Sequence, residues 1–193
     1  MNTTWYLEMT DPAELKPGRE PEGDVRFVQA EVPSPELFRF LYETVGRDYQ
    51  WIDRNPWTDQ EWRDRMERPE VEIWVLHDRG TPAGYAELEA QPEGAVEVVY
   101  FGLLPGFLGR GLGGHMLTET LRHAWDLAAR RADREPTRRV WLHTCSLDGE
   151  HALANYESRG LRVYRKTTAD EAVAGEVAGE SAADAAGDKA TRG

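Results

Sequence analysis

The stretch VEVVYFGLLPGFLGRGLGGHML, residues 96–117, changes its periodicity partway along. Its opening part belongs to a β-branched and aromatic run, Ala95 to Leu104, which reads as a strand. Its end starts an apolar stripe, Met116, Leu117, Leu121, Ala124 and Trp125, at helical spacing. Between the two, Phe107–Gly114 holds four glycines in eight residues. Glycine costs roughly 0.5–1 kcal/mol relative to alanine in regular structure, so four of them at a strand-to-helix junction need a reason. A helix N-terminus offers unsatisfied N–H groups and the positive end of the helix dipole. Glycines just before it let the backbone fold round an anion as a nest of donors. The bland alternative is a tight turn that binds nothing.

Outward from this junction the chain alternates between the two periods. Upstream, Trp5–Met9 and Val25–Val32 read as strands joined by a Pro/Gly/charge-rich connector. Ser34-Pro35 opens a helix carrying Leu37, Phe40, Leu41 and Val45. A turn at Asn55-Pro56 precedes a short helix capped near Thr58 or Asp59. Val71–His77 and Ala83–Glu89 are strands leading into the strand at Ala95. Downstream, the helix runs to about Arg130, Val140–Cys145 is a strand, Glu150–Arg159 a helix stopped by Gly160, and Leu161–Arg165 a last strand. Consecutive strands followed by strand–helix–strand alternation predict one α+β domain with a mixed sheet. The domain spans residues 1–168; residues 169–193 contain no aromatic residue, Leu or Ile and read as a disordered acidic tail.

Bulk properties exclude several functions. The chain has 193 residues and a net charge of −12, from 35 acids against 23 bases. That balance disfavours general binding to nucleic acid or to an anionic membrane, where positive charge supplies the attraction. No apolar run is long enough to span a bilayer, and the start lacks a basic region followed by an apolar one. The lone cysteine, Cys145, permits no internal disulfide and fits a reducing compartment, so a cytoplasmic monomer or homodimer is expected. The five histidines are scattered, and no metal site is expected.

Three phosphate-loop patterns compete for the glycine stretch. The G-x-x-x-x-G-K-[ST] loop is absent, since no lysine follows. The dinucleotide pattern G-x-G-x-x-G fits Gly109–Gly114 formally, but it should open an early βαβ unit and here follows a run of strands. The third is carried by two segments together. Residues 96–117 resemble the coenzyme-A loop of the GNAT superfamily of N-acetyltransferases, a strand, a turn and [QR]-x-x-G-x-[GA] at a helix start. Gly111 and Gly113 take the glycine places, while Leu108 stands where Gln or Arg is usual. DGEHALANYESRGLRVY, residues 148–164, resembles the family's closing N-x-x-A-x-x-x-Y-x-x-x-G-F. Ala152, Tyr156 and Gly160 fall on pattern, with Gly149 for Asn and Leu161 for Phe.

The resemblance implies a mixed, largely antiparallel central sheet flanked by helices, and transfer of acetyl from acetyl-CoA, as cosubstrate, directly to a primary amine of a small molecule or peptide. It implies that backbone groups of Leu108, Gly109, Arg110, Gly111, Leu112, Gly113 and Gly114 hold the pyrophosphate. Gly102, Leu103 and Leu104 would pair with the pantetheine arm, beside a neighbouring strand that splays away. An alkyl ammonium is only about 0.1% neutral near neutral pH, so the reaction needs a base. Glu97 is the candidate, with Glu87 and Glu89 in reserve; Tyr156 is the candidate proton donor to the departing thiolate. Tyr49, Trp51, Asp53 and Trp57, aromatic and acidic, are the candidate acceptor-binding residues. The competing reading is a degenerate module that binds CoA or acyl-CoA as a sensor without turnover.

Overall fold

The computed structural model describes residues 2–49, 51–149 and 151–168. In chain order the elements are β1 (Thr3–Met9), β2 (Val25–Gln29), α1 (Pro35–Gly46), α2 (Asp59–Met66), β3 (Val71–Asp78) and β4 (Thr81–Gln91). They continue with β5 (Ala95–Leu103), α3 (Leu112–Trp125), α4 (Leu127–Arg130), β6 (Arg139–Cys145), α5 (Ala152–Ser158) and β7 (Arg162–Thr168). The expected acidic tail lies outside the described residues.

The strands form one sheet in the order β2-β3-β4-β5-β6-β1-β7, antiparallel throughout except for β5 and β6. The first two strands of the chain therefore lie far apart. β2 is one edge, while β1 is inserted between β6 and β7 and pairs antiparallel with both.

Local chemistry accounts for the element ends. Ser34 Oγ accepts from the Leu37 amide and Pro35 occupies the first turn, so α1 starts where the sequence reading puts it. Thr58 and Glu61 make a reciprocal capping box on α2. Several expected boundaries move by a few residues, and two of the moves have a visible cause. β2 ends at Gln29, not Val32, which is 79% exposed and followed by Pro33. The long helix breaks at Asp126 instead of running on to Arg130. There Thr137 Oγ1 donates to the Ala124 carbonyl (2.9 Å) and an Arg130 Nη donates to the His123 carbonyl (2.6 Å). Side chains thus satisfy carbonyls at the end of the helix.

Each face of the sheet is packed against helices. On one face Leu7, Met9, Leu88, Val96, Val98, Val140 and Leu142 meet Leu117, Leu121, Ala124, Leu127 and Tyr156 of α3–α5. On the other, Val71, Ile73, Val75 and Tyr85 meet Phe38, Leu41, Tyr42, Val45 and Trp62 of α1 and α2. Strand alternation assigns Glu87, Glu89 and Glu97 to this second face.

Candidate active site

The parallel pairing of β5 with β6 is short. It comprises Ala95–Arg139, Val96–Val140 and Glu97–Trp141, after which β5 runs on to Leu103 and β6 to Cys145 without pairing. The strands diverge from Glu97 onward. Val99 is the extra residue of a bulge, since Leu88 pairs with Val98 and Glu87 with Tyr100. A bulge bends its strand and strengthens its twist, which suits the divergence. Gly102 and Leu103 pair with Tyr85 and Gly84 of β4 on one edge. Their other edge has no strand partner among the described residues, as an extended ligand arm needs.

At the open end of this slot lies the glycine loop. Gly109 and Gly111 have φ of +72° and +77°, a region that L side chains enter at a cost. Gly111 is the N-cap of α3, and no side chain caps that helix. The amides of Leu112, Gly113 and Gly114 therefore lack intrahelical acceptors and face the end of the loop. The Arg110 guanidinium turns aside: it pairs with Asp78 at the end of β3 and stacks on Phe107 at 5.1 Å. That pairing holds the Asp78 carboxyl below its usual range. Only the backbone of Arg110 is left for the loop's concavity. Leu108 is 49% exposed, so its departure from Gln or Arg leaves an apolar side chain in water.

One cation does approach this turn. Arg159, at the end of α5, brings Nη1 to 2.9 Å from the position of a Cβ added at Gly114, and it also crowds Gly18. No described carboxylate pairs with Arg159, and its Nε is buried without a partner. The connector after β1 crosses here too, the Gly18 amide donating to Thr118 Oγ1 at 2.8 Å. The family's closing pattern does not specify this residue, so the sequence reading missed it.

Glu97 sits at the vertex of the slot, its side chain 13% exposed. Gln91 Nε2 donates to its Oε2 at 2.8 Å, and Gln91 Oε1 in turn accepts from Trp141 Nε1 at 2.9 Å. His143 Nδ1 lies 3.6 Å from the other oxygen, Oε1. No described arginine touches it. The reserve glutamates differ sharply. Arg54 grips Glu87 through both oxygens (2.6 and 2.9 Å), and Arg65 joins them at 2.6 Å. Burial pushes the Glu87 carboxyl up, but hydrogen bonds and charge from Arg54, then Arg65, bring it below its ordinary value. Glu89 is paired with Arg65 (2.7 Å) and Arg68 (2.8 Å). Glu87 and Glu89 are thus both engaged by guanidinium groups, whereas Glu97 is touched by none of the described arginines.

Tyr156 lies on the opposite, α3 side of the sheet, packed edge-on against Phe101 with ring centroids 6.1 Å apart. Burial raises its hydroxyl well above the ordinary phenol value, and Asp148 adds to the rise. It is thus a hydroxyl that keeps its proton. Cys145, on β6, is also pushed up by burial, which disfavours a nucleophilic thiolate.

The four acceptor-side candidates divide. Trp51 packs among Tyr42, Tyr85 and Tyr100, and Trp57 against Trp62 and the Arg54 guanidinium. Both therefore help hold the loop between α1 and α2 on the sheet. Asp53 accepts from the hydroxyls of Tyr42 (2.7 Å) and Tyr100 (2.6 Å). Burial would raise its carboxyl, but these two hydrogen bonds hold it below its usual range, and the Tyr42 hydroxyl is pushed up to about 12. Tyr49 stands beside Gly149, its ring atoms 3.4–3.6 Å from where a Cβ would lie. Trp51, Asp53 and Trp57 thus line the α1–α2 wall of the second face, and Tyr49 meets the loop after β6. Among the described residues no group of three metal-ligating side chains occurs.

The Acetyltransferase (GNAT) family profile matches residues 38–161, from the middle of α1 to the end of the α5 segment. Solved structures of the same fold include a GCN5-related N-acetyltransferase from Kribbella flavida, at 20% identity and TM-score 0.60, covering 85% of this chain and 55% of that one. Another, from Sphaerobacter thermophilus, gives 20% identity and TM-score 0.59 over 86% of this chain and 49% of that one. A tandem GNAT protein from the clavulanic acid biosynthesis pathway gives 13% identity and TM-score 0.55, covering 86% and 51%. The chain thus spans about half the length of these structures. No curated protein matches it.

Proposed function

The chain belongs to the GNAT family of acetyltransferases, and on that premise we propose that it transfers acetyl from acetyl-CoA directly to a primary amine of a small molecule or peptide. The carrying observation is the slot that opens at Glu97, with α3 amides lacking a side-chain cap at its mouth and a carboxylate held by Gln91 and His143, with no described arginine on it, at its vertex.

Acetyl-CoA, when bound, supplies the thioester. The chain supplies the rest. Backbone groups of Leu108–Gly114 and the Arg159 guanidinium offer donors and positive charge for the phosphates. The free edge of Gly102, Leu103 and Leu104 offers strand-like hydrogen bonds to an amide-bearing arm. Glu97, on the second face, accepts the proton that an ammonium must lose before it can attack. Tyr156, on the other face, holds a proton for the sulfur as negative charge develops there. The acceptor enters between the α1–α2 wall, with Tyr49, Trp51, Asp53 and Trp57, and the exposed part of β6. Aromatic faces near carboxylates favour a cationic acceptor.

Release of free thiol from acetyl-CoA against amines, amino acids and basic peptides tests this reading. Turnover with at least one amine is expected, and Glu97→Gln should lower kcat roughly 10²-fold or more while leaving acetyl-CoA affinity nearly intact. The sensor reading draws on Leu108 in place of the usual Gln or Arg; tight CoA binding with no turnover on any acceptor would favour it.

A further inference from the structure

We propose that His143 is the proton outlet of Glu97, a positioning residue that takes each proton from the carboxylate and passes it to solvent. The inference rests on Glu97 being the base. Geometry carries it. Glu97 is shielded, so a proton placed there needs a route out. Its Oε2 is held by Gln91, whose orientation Trp141 fixes, and this leaves Oε1 directed at the imidazole. His143 lies two residues beyond Trp141, on the same face of β6 and within the diverged part of the strand. Its side chain is 50% exposed, so it stands between the carboxylate and bulk solvent. The rings of Tyr6 and Trp141, at 5.9 and 6.4 Å, flank the imidazole and limit its swing.

The neighbouring charges are committed elsewhere. On β6, Arg139 pairs with Glu8 of β1 at 2.7 Å and stacks on Trp141 and on Tyr164 of β7. Arg165 of β7 lies over Tyr6 at 4.2 Å. Glu89 of β4 is held by Arg65 and Arg68, and Asp53 by two tyrosine hydroxyls. Cys145, two residues further along β6, keeps its proton. Glu97 is left as the carboxylate facing the imidazole.

The step balances without redox. An N–H bond of the acceptor ammonium breaks and an O–H bond forms on Glu97. That bond breaks as Nδ1 of His143 takes the proton, the imidazolium loses its Nε2 proton to water, and exchange with water then moves the remaining hydrogen from Nδ1 back to Nε2, freeing Nδ1 for the next turnover. The resting imidazole must therefore carry its hydrogen on Nε2. The present 3.6 Å separation is longer than a hydrogen bond and closes by about 0.7 Å on proton transfer, as catalytic contacts commonly tighten when substrate binds.

The test compares the full chain with His143→Ala, His143→Gln and Glu97→Gln in thiol release, across pH and with free imidazole added. His143→Ala should lose roughly tenfold or more in kcat with KM for acetyl-CoA unchanged. Its acidic limb should move to lower pH, and imidazole in the buffer should restore its rate in proportion to the free-base concentration. Neither the pH change nor the rescue follows from a packing role. Glu97→Gln should not be rescued. If Glu97→Gln is slow while His143→Ala keeps the wild-type rate and pH profile, the outlet is wrong and the base stands. A His143→Ala enzyme that is slow but not rescued, beside a fully active His143→Gln, also overturns it. A wild-type rate in Glu97→Gln, or no turnover in the wild type, removes both readings.

Discussion

Gly111→Ala and Gly113→Ala should change stability in opposite directions. Gly111 caps α3 at φ +77°, ψ 1°, and a Cβ added there meets nothing within 4 Å. The whole effect is then conformational, roughly 1–2 kcal/mol for an L residue held in the left-handed region. For a domain of this size that corresponds to a fall in Tm of roughly 2–8 °C. If the backbone instead relaxes to negative φ, the amides that face the phosphate turn away, and the same energy must be restored on binding. Acetyl-CoA affinity would then fall by roughly 5–30-fold. Gly113 is already helical, and its added Cβ would lie 3.8 Å from Leu103 Cδ1 and 3.9 Å from Asn155 Nδ2, ordinary contacts that point into the protein. Alanine there should gain roughly 0.5–1 kcal/mol from the unfolded state, raising Tm by roughly 1–4 °C with affinity unchanged. Scanning calorimetry of the free protein and titration calorimetry with acetyl-CoA check both. A Gly111→Ala variant with wild-type Tm and wild-type affinity would refute the reasoning, as would a Gly113→Ala variant that is less stable.

Three further outcomes are expected. Tyr156→Phe removes the hydroxyl of a buried side chain and keeps its ring packed against Phe101, so kcat should fall more than acetyl-CoA affinity; equal rates would remove Tyr156 from the reaction. Glu87→Gln strands Arg54, which is 5% exposed, and should destabilise by about 3–5 kcal/mol. Because the folded Glu87 carboxyl sits below its ordinary value, its stabilisation is present above about pH 4.3 and is lost as pH falls through the lower folded value. Acid unfolding followed by circular dichroism should accordingly be shallower in the variant. Arg159→Gln should weaken binding of CoA more than that of pantetheine, which lacks phosphates, and equal losses for the two ligands would argue against a phosphate contact.

Most of the fold could be read in advance because its elements are punctuated by residues with a single mechanical use. Ser34-Pro35 starts α1 and Thr58 starts α2, while the glycine cluster separates β5 from α3. The place of β1 could not be read. Leu7 and Met9 alternate with Tyr6 and Glu8 as they would in any half-buried strand, and alternation does not say which partners the strand takes. The break at Asp126 was hidden too, because Thr137 and Arg130 reach the helix end from beyond the periodic segment. At the candidate site, motif spacing singles out the loop and Glu97. The contacts of Gln91, His143 and Arg159 could not be read, since each meets a neighbour brought up by the sheet or by α5.

The same long-range geometry explains why one of three similar glutamates is the one left free. Glu87, Glu89 and Glu97 share a face of adjacent strands, and Glu89 is the direct partner of Glu97 in the β4–β5 register. In sequence all three are strand glutamates, and only the spacing to the glycine loop singles out Glu97. The arginines decide between them. Arg54, Arg65 and Arg68 come from α2 and the segments beside it, and they reach β4, where they neutralise Glu87 and Glu89. Beyond Glu97 lies β6, which brings Trp141 and His143 and leaves Arg139 bound to Glu8. A buried carboxylate needs partners, and guanidinium partners suppress its basicity. At Glu97 a neutral amide and an imidazole take the place of those partners. The arginine network around β4 thus holds Glu87 and Glu89 in place and leaves Glu97 to partners brought by β6 and the end of β4.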